Sequence, residues 1–284
     1  MFGGFVVYNE IIAEEIIKNA LKEDINYCDI TTEVLIDEES LSEAKILAKE
    51  EGVVAGIPIL RQVYKIIDPE VKINVFINDG EKLEKGNIIA SVMGKTKSIL
   101  KGERVALNFM QRLSGIAKKS RQFRSVTMGL NVKVVDTRKT MPNLRMFDKY
   151  AVSLGGCNNH RYNLSDSILI KDNHIEAVGS ITNAIVKAKQ KAPHTMKIEI
   201  EVQTIEQLKE ALDTGVDIIL LDNMSIEMLE EAVLITNKRA ILEASGNVTL
   251  ANVRAVAATG VDVISVGELT HSISALDISM LLEQ

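Results

Sequence analysis

The chain has 284 residues, 46% of them apolar and 25% charged, with a formal net charge of −6, which suits one large or two modest domains and gives no general basic field for nucleic acid. Cys28 and Cys157 are its two cysteines, widely separated and outside any CxxC, so a disulfide framework and a zinc cage are both excluded. No stretch approaches the ~18 apolar residues of a membrane span, and the opening MFGGFVVYNE lacks the basic region and apolar length of a signal peptide. A cytoplasmic protein with no membrane or nucleic-acid partner is expected.

Residues 9–22 place Ile12, Ile16, Ala20 and Leu21 at helical spacing. Residues 23–32 are polar and read as turns. From 43 to 93 the runs Ala44–Ala48, Val53–Ala55, Val71–Ile77 and Ile88–Val92 read as strands. Glu51-Gly52, Asp79-Gly80 and Lys85-Gly86 punctuate them as turns, and a helix is expected from Ile59 to Ile67. Gly94-Lys95-Thr96 is not a phosphate loop, because the glycine that such a loop needs five positions earlier is Ile89. No GxGxxG occurs, so a dinucleotide fold has no support.

A long helix is expected over 103–128. Strand–helix units then follow in succession: Val132–Val135 with 143–154, Ile168–Ile170 with 181–191, Lys197–Val202 with 205–213, Ile218–Leu221 with 226–236, Ala240–Glu243 with 250–258, and Val261–Val266 with 273–282. This alternation marks a parallel α/β domain. Thr204-Ile205-Glu206-Gln207 has the pattern of a capping box, Ser225 and Thr249 stand at expected N-caps, and Gly215 and Gly260 stand where helices should stop.

The polar residues gather at the strands' C-terminal ends: Asp136 to Lys139, Lys171 to His174, Glu201, Asp222-Asn223, Glu243 to Asn247, and Gly267 to His271. A barrel with its site on the C-terminal face has this distribution, whereas an open doubly wound sheet concentrates polar groups near one switch point. Six units are too few for a complete eightfold barrel. Between Val134 and His174 the strand ends and their loop carry Arg138, Lys139, His160, Arg161, Lys171 and His174, a focused cation cluster in an acidic chain. Glycines near the last two ends (Ser245-Gly246-Asn247 and Gly267-Glu268) suit a phosphate site, since glycine lets backbone N–H groups approach the oxygens. Glu201 and Asp222 lie between, able to accept from sugar hydroxyls, to coordinate a hydrated divalent cation, or both. A substrate with a terminal phosphate, a hydroxylated middle and a strongly anionic far end would match this order.

In these residues the chain resembles the quinolinate phosphoribosyltransferases. The resemblance is carried by Gly102-Glu103-Arg104-Val105-Ala106-Leu107-Asn108, Leu113-Ser114-Gly115-Ile116-Ala117, Asp136-Thr137-Arg138-Lys139-Thr140, Asn159-His160-Arg161, Ile170-Lys171-Asp172-Asn173-His174, Leu221-Asp222-Asn223, Glu243-Ala244-Ser245-Gly246 and Val266-Gly267-Glu268-Leu269-Thr270-His271-Ser272. It implies transfer from phosphoribosyl pyrophosphate to quinolinate with decarboxylation, giving nicotinate mononucleotide, carbon dioxide and pyrophosphate, with Mg²⁺. The nearest alternative is a molybdenum-transport-associated paralogue of the same fold acting on another ligand.

The resemblance also implies an N-terminal α/β sandwich-like domain (1–108), an incomplete parallel α/β barrel (109–270), and a C-terminal helix (271–284) packing back on the N-terminal region. It implies a homodimer in which Arg104 reaches the neighbouring site. Lys139, Lys171, Glu201 and Asp222 would be catalytic, with Glu201 and Asp222 holding the metal directly or through water. Arg104, Thr137, Arg138, His160, Arg161, Ser245, Gly246, Asn247, Gly267 and Glu268 would bind substrate. Asn143 and Cys157 stand where the family usually has glycine or another small residue, and Lys118-Lys119 where threonine is common.

Overall fold

The structure, a computed structural model, describes residues 8–283; residues 1–7, part of the run expected to lack a targeting signal, lie outside them. In chain order the elements are α1 (Glu10–Ile25), α2 (Ile30–Leu35), β1 (Leu41–Ala48), β2 (Gly52–Val53), α3 (Ile57–Ile67), β3 (Lys72–Val75), β4 (Lys82–Leu83), β5 (Ile88–Lys95) and α4 (Thr96–Val126). Then come β6 (Lys133–Val135), α5 (Arg145–Leu154), β7 (Ile168–Ile170), α6 (Asp172–Val178), α7 (Ile181–Lys191), β8 (Ile198–Val202), α8 (Ile205–Asp213), β9 (Ile218–Asp222) and α9 (Ile226–Thr236). The chain closes with β10 (Ile241–Ser245), α10 (Val253–Ala258), β11 (Val263–Ser265), α11 (Glu268–His271) and β12 (Ile278–Glu283). They form two compact units, one of residues 1–121, 140–156 and 272–284, the other of residues 122–139 and 157–271.

The first unit is built on a four-stranded sheet in the order β12-β1-β5-β3, with antiparallel neighbours. Strand β1 alternates, burying Ala44, Ile46 and Ala48, so one sheet face is apolar. Ile59, Leu60, Val63 and Tyr64 of α3 and Ile99, Leu107 and Met110 of α4 are buried in the same unit. Each such side chain stabilises by about 1.5–3 kcal/mol relative to exposure. Asp79 supplies the N-cap that α3 lacks locally: its Oδ2 accepts the Gly56 N–H at 3.0 Å and its Oδ1 the Ile57 N–H at 2.9 Å.

Several segments depart from the sequence expectation; α4 starts at Thr96 where the sequence predicts a helix from 103, and Asp172–Val178 form α6 where it marks only a strand end. Residues 273–282 do not form a helix; Ile278–Glu283 form β12, paired antiparallel with β1 from Ala48↔Ile278 to Glu43↔Glu283. Ile278, Met280 and Leu282 repeat with period two, and an open edge of β1 accepts the ladder. The polar stretch 23–32 is not all turn: Asp29 caps α2, with Oδ1 accepting the Thr32 N–H at 3.1 Å.

The second unit is a six-stranded sheet in the order β6-β11-β10-β9-β8-β7, each neighbour parallel. The edges are β6 and β7, which do not pair with each other, so this is an incomplete α/β barrel. Its strands follow the expected order, with ends adjusted by a residue or two. Thr204 and Ser225 cap α8 and α9 through the N–H groups of Gln207 and Met228. Thr249 does not cap; the helix there starts at Val253, and it is Asn252 Oδ1 that accepts the Thr249 N–H at 2.8 Å. Gly215 and Gly260 both have the positive φ of a helix stop.

Candidate active site

Every strand of the barrel sends alternate residues inward, and these make the site. On β8 that set is Glu199 and Glu201, on β9 Leu220 and Asp222, on β10 Glu243 and Ser245. A cavity of about 380 Å³ at the C-terminal ends is lined by Thr137, Arg138, Lys139, His160, Arg161, Leu169, Lys171, Glu201, Leu220, Asp222, Glu243, Ser245 and Ser265. A second, of about 460 Å³, shares Thr137, Lys139, Asp222, Ser245 and Ser265 and adds Asn223, Gly246, Asn247, Val248, Thr249, Gly267, Glu268 and His271. All the expected site residues of the barrel therefore line one continuous pair of cavities. Arg104 does not line them; it is exposed on α4 in the first unit.

Asp136 organises the cationic end, a role not read from the sequence. It is fully buried, just beyond β6. Its Oδ1 accepts the His160 N–H at 2.8 Å and its Oδ2 the Asn159 side-chain amide at 2.7 Å. Asn158 forms a parallel bridge to Val135, with Asn158 N–H donating to Val134 O at 2.8 Å and Asp136 N–H to Asn158 O at 3.1 Å. The Asn-Asn-His-Arg loop is thus stitched to the edge of β6 and carries His160 and Arg161 to the cavity. The Arg161 guanidinium is steadied by the Ser167 carbonyl at 2.8 Å. Its pKa is lowered by burial and by the neighbouring Arg138 charge, as expected where two guanidiniums await an anion.

Lys139 is fixed through its backbone: its N–H donates to Thr137 Oγ1 at 3.0 Å, and its carbonyl accepts from Thr270 Oγ1 at 2.8 Å. Lys171, at the end of β7, places Nζ 3.5 Å from Glu201 Oε2. Burial raises the Glu201 pKa; the Lys171 charge lowers it and the Asp222 charge raises it again. His174 is exposed, and its Nδ1 accepts the Lys171 N–H at 3.0 Å, so it orients the lysine's backbone.

The glycine-bearing end is an asparagine-knit loop. Asn223 N–H donates to Ser245 O at 2.9 Å, and Asn247 Nδ2 donates to Asn223 Oδ1 at 3.0 Å. Asn252 Nδ2 holds Asn247 O at 3.0 Å. Asn223, Asn247 and Gly246 have φ of 55°, 50° and 95°, the left-handed region that asparagine and glycine tolerate. Asn143, in place of the family's usual glycine, likewise has φ 65°, so the substitution keeps the turn. Cys157 is buried.

Sequence reasoning also left Glu199 and Glu243 out of the site. Both are buried, and both face Nε2 of His160, at 3.5 and 3.4 Å. The alternation of the β8 sequence IEIEV could have found the first, since it puts Glu199 on the same face as Glu201.

A hydrated divalent cation fits the Glu201–Asp222 pair. Both are hard oxygen donors at adjacent strand ends, and Asp222 destabilises the ionised form of Glu201, a repulsion that a cation relieves. Among the described residues no helix is long and apolar enough to cross a membrane.

Comparison with known proteins agrees with this geometry. Residues 29–114 match the N-terminal domain of quinolinate phosphoribosyl transferase, and residues 116–281 its C-terminal domain. The chain is 43% identical over 272 residues to a probable carboxylating nicotinate-nucleotide pyrophosphorylase of Bacillus subtilis, covering 96% of this chain and 94% of that one. It is 41% identical over 289 residues to a mitochondrial decarboxylating quinolinate phosphoribosyltransferase of Nicotiana tabacum, covering 95% and 82%. The crystal structure of NadC from Streptococcus pyogenes superposes with a TM-score of 0.94 at 41% identity, covering 97% of this chain and 98% of that one. Human nicotinic acid phosphoribosyltransferase, at 12% identity and a TM-score of 0.61, shares the fold alone. With both domains matched and relatives alike over nearly its whole length, this chain belongs to the quinolinate phosphoribosyltransferase family.

Proposed function

We propose that the paired cavities are where the chain converts quinolinate and phosphoribosyl pyrophosphate into nicotinate mononucleotide, carbon dioxide and pyrophosphate. The activity follows from the family. The assignment of residues rests on one observation, the distribution of charge over the cavities: Arg138, Arg161, Lys171 and Glu201 line only the first, Lys139 and Asp222 line both, and the Gly246–Asn247 and Gly267–Glu268 loops line only the second.

The two ring carboxylates meet Arg138 and Arg161, whose planar forks match a carboxylate, with His160 beside them. Each charge-assisted hydrogen bond contributes about 1.5–3 kcal/mol. Glu201 and Asp222 accept from the ribose hydroxyls. Ser245, Gly246, Asn247, Gly267 and Glu268 surround the terminal phosphate, with Thr137 beside Lys139. The ring nitrogen attacks the anomeric carbon as its bond to pyrophosphate breaks, and Lys139 and Lys171 stabilise the charge on the departing oxygens. The pyridinium so formed takes up the electron pair released when the adjacent carboxylate leaves as carbon dioxide, and the ring carbon is then protonated. No nucleophilic side chain is needed; the protein supplies position and field. Mg²⁺ held by Glu201 and Asp222 would supply further charge neutralisation for the diphosphate.

Arg104, exposed on α4, completes the anion site of a second copy in a homodimer. Two cysteines far apart in the sequence, Cys28 and Cys157, support a reducing, cytoplasmic location. The test is a coupled pyrophosphate assay. Release that depends on quinolinate and is not supported by nicotinate or other ring acids is expected. Release with a different ring acid and none with quinolinate would point to the molybdenum-associated paralogue, and none with any acceptor to a binding protein. Mixing an Arg104→Ala protein with a Lys171→Ala protein should restore turnover through hybrid dimers; no recovery would overturn the shared site.

A further inference from the structure

The three groups behind the cationic end, His160, Glu199 and Glu243, have no place in the chemistry above beyond the histidine's contact with substrate. Their donor atoms all lie within 4.8 Å of one another. Glu199 and Glu243 are only 2% and 4% exposed. Oε1 of each lacks a hydrogen-bond partner, Glu243 Oε1 facing Nε2 without the alignment of a bond. Two buried carboxylates this close are tolerated only with a positive or strongly donating group between them.

A metal ion is one candidate for that role, and the ring argues against it. Nδ1 of His160 accepts the Arg161 N–H at 2.8 Å, so the ring proton is on Nε2, the atom a metal would need. Burial pulls the His160 pKa down, but the two facing carboxylates, Glu199 and Glu243, carry it up to about 10. A pKa that high places protons on both nitrogens, whereas the Arg161 contact needs a lone pair at Nδ1. The two requirements conflict at Nδ1 and agree at Nε2, which is protonated in either case. Nε2–H is thus the donating group that stands between the two carboxylates.

We propose that Glu199 and Glu243 are positioning residues: together they clamp the Nε2–H of His160, and through its ring and the Arg161 backbone they fix where the Arg161 guanidinium meets the ring acid. The other side of the loop is held independently, by Asp136 on the His160 N–H. Asp136 therefore sets where the loop lies, and the two glutamates set the rotation of the ring within it. This assignment rests on the quinolinate reading of the cavities.

The test uses Glu199→Gln, Glu243→Gln and the double variant, which keep side-chain size. The double variant should raise the quinolinate KM by about threefold or more while the phosphoribosyl pyrophosphate KM stays within about twofold. Placed in a His160→Gln background, the same two substitutions should add less than about twofold, because their effect passes through the ring. A quinolinate KM raised less than threefold, or effects that multiply with His160→Gln, would overturn the proposal. If the variants fail to fold, nitrogen NMR of the wild-type histidines decides. With four histidines in the chain, His160 is assigned by the signal lost in His160→Gln. Nε2 should be protonated at every pH from about 5.5 to 8.5, and a lone pair there would overturn the clamp. Wild-type protein that releases no pyrophosphate would remove the quinolinate reading, and the NMR signal would still decide whether the glutamates hold His160.

Discussion

Replacing Gly246 by alanine tests the phosphate end most directly. At φ 95° a side chain is strained wherever it points. The added Cβ would also stand 2.2 Å from Asn223 Oδ1 and 2.9 Å from Asn223 N. Left-handed backbone costs a non-glycine residue about 1–2 kcal/mol. Moving Asn223 aside breaks its acceptance of Asn247 Nδ2, a further ~0.5–1.5 kcal/mol. The loop is partly exposed, so it relieves the clash by moving, and the loss falls on the N–H groups around the phosphate. A total of about 1.5–3.5 kcal/mol corresponds to roughly 10- to 300-fold in the phosphoribosyl pyrophosphate KM. Pyrophosphate release at saturating quinolinate measures it. A Gly246→Ala protein with that KM within twofold of wild type and an unchanged Tm would refute the placement of the phosphate.

Three further outcomes are expected from the same geometry. Arg138→Ala should raise the quinolinate KM by roughly 10- to 150-fold, the value of one lost charge-assisted bond, and full turnover in that protein would remove Arg138 from the site. Asp136→Asn should lower both Tm and kcat, because one carboxylate holds both the His160 N–H and the Asn159 amide; thermal melts and turnover of the same sample check the coupling. In the first unit, Lys101 and Lys97 hold the Glu33 pKa down at about 2 by hydrogen bonds. A carboxylate with a depressed folded pKa contributes stability that is full above its unfolded value, about 4.5, and is lost as pH falls toward 2. Glu33→Gln should therefore flatten the acid limb of a Tm–pH curve in that window, and an unchanged limb would show that the bridges contribute nothing there.

How much of this was open to a reader of the sequence depends on the range of the interaction concerned. The barrel was legible because each strand–helix unit is local: periodicity, a hydroxyl cap such as Ser225 and a stop glycine such as Gly260 all lie within one short stretch. The cavity was legible in outline because parallel strands end on one face, so Lys171, Glu201 and Asp222 had to converge. β12 was missed for the opposite reason. Its partner, β1, lies more than two hundred positions earlier in the chain, and Ile278, Met280 and Leu282 take a strand only because that edge is open.

Asp136, Glu199 and Glu243 show why the inner layer of the site was harder to see than its rim. A charged residue in an apolar run reads as a strand end or a solvated position, since carboxylates are rarely buried without a partner. The partner here is supplied by a loop inserted between two strands: Asn159 and His160 come to Asp136, and the His160 ring comes to both glutamates. The same loop carries Arg161, so the buried acids and the substrate-facing cation are joined by one short segment. A barrel floor of leucine and isoleucine would pack as well but leave the Asn159 amide and the His160 ring without their carboxylate partners. The acids under the cavity are therefore best understood as part of the anion site above them.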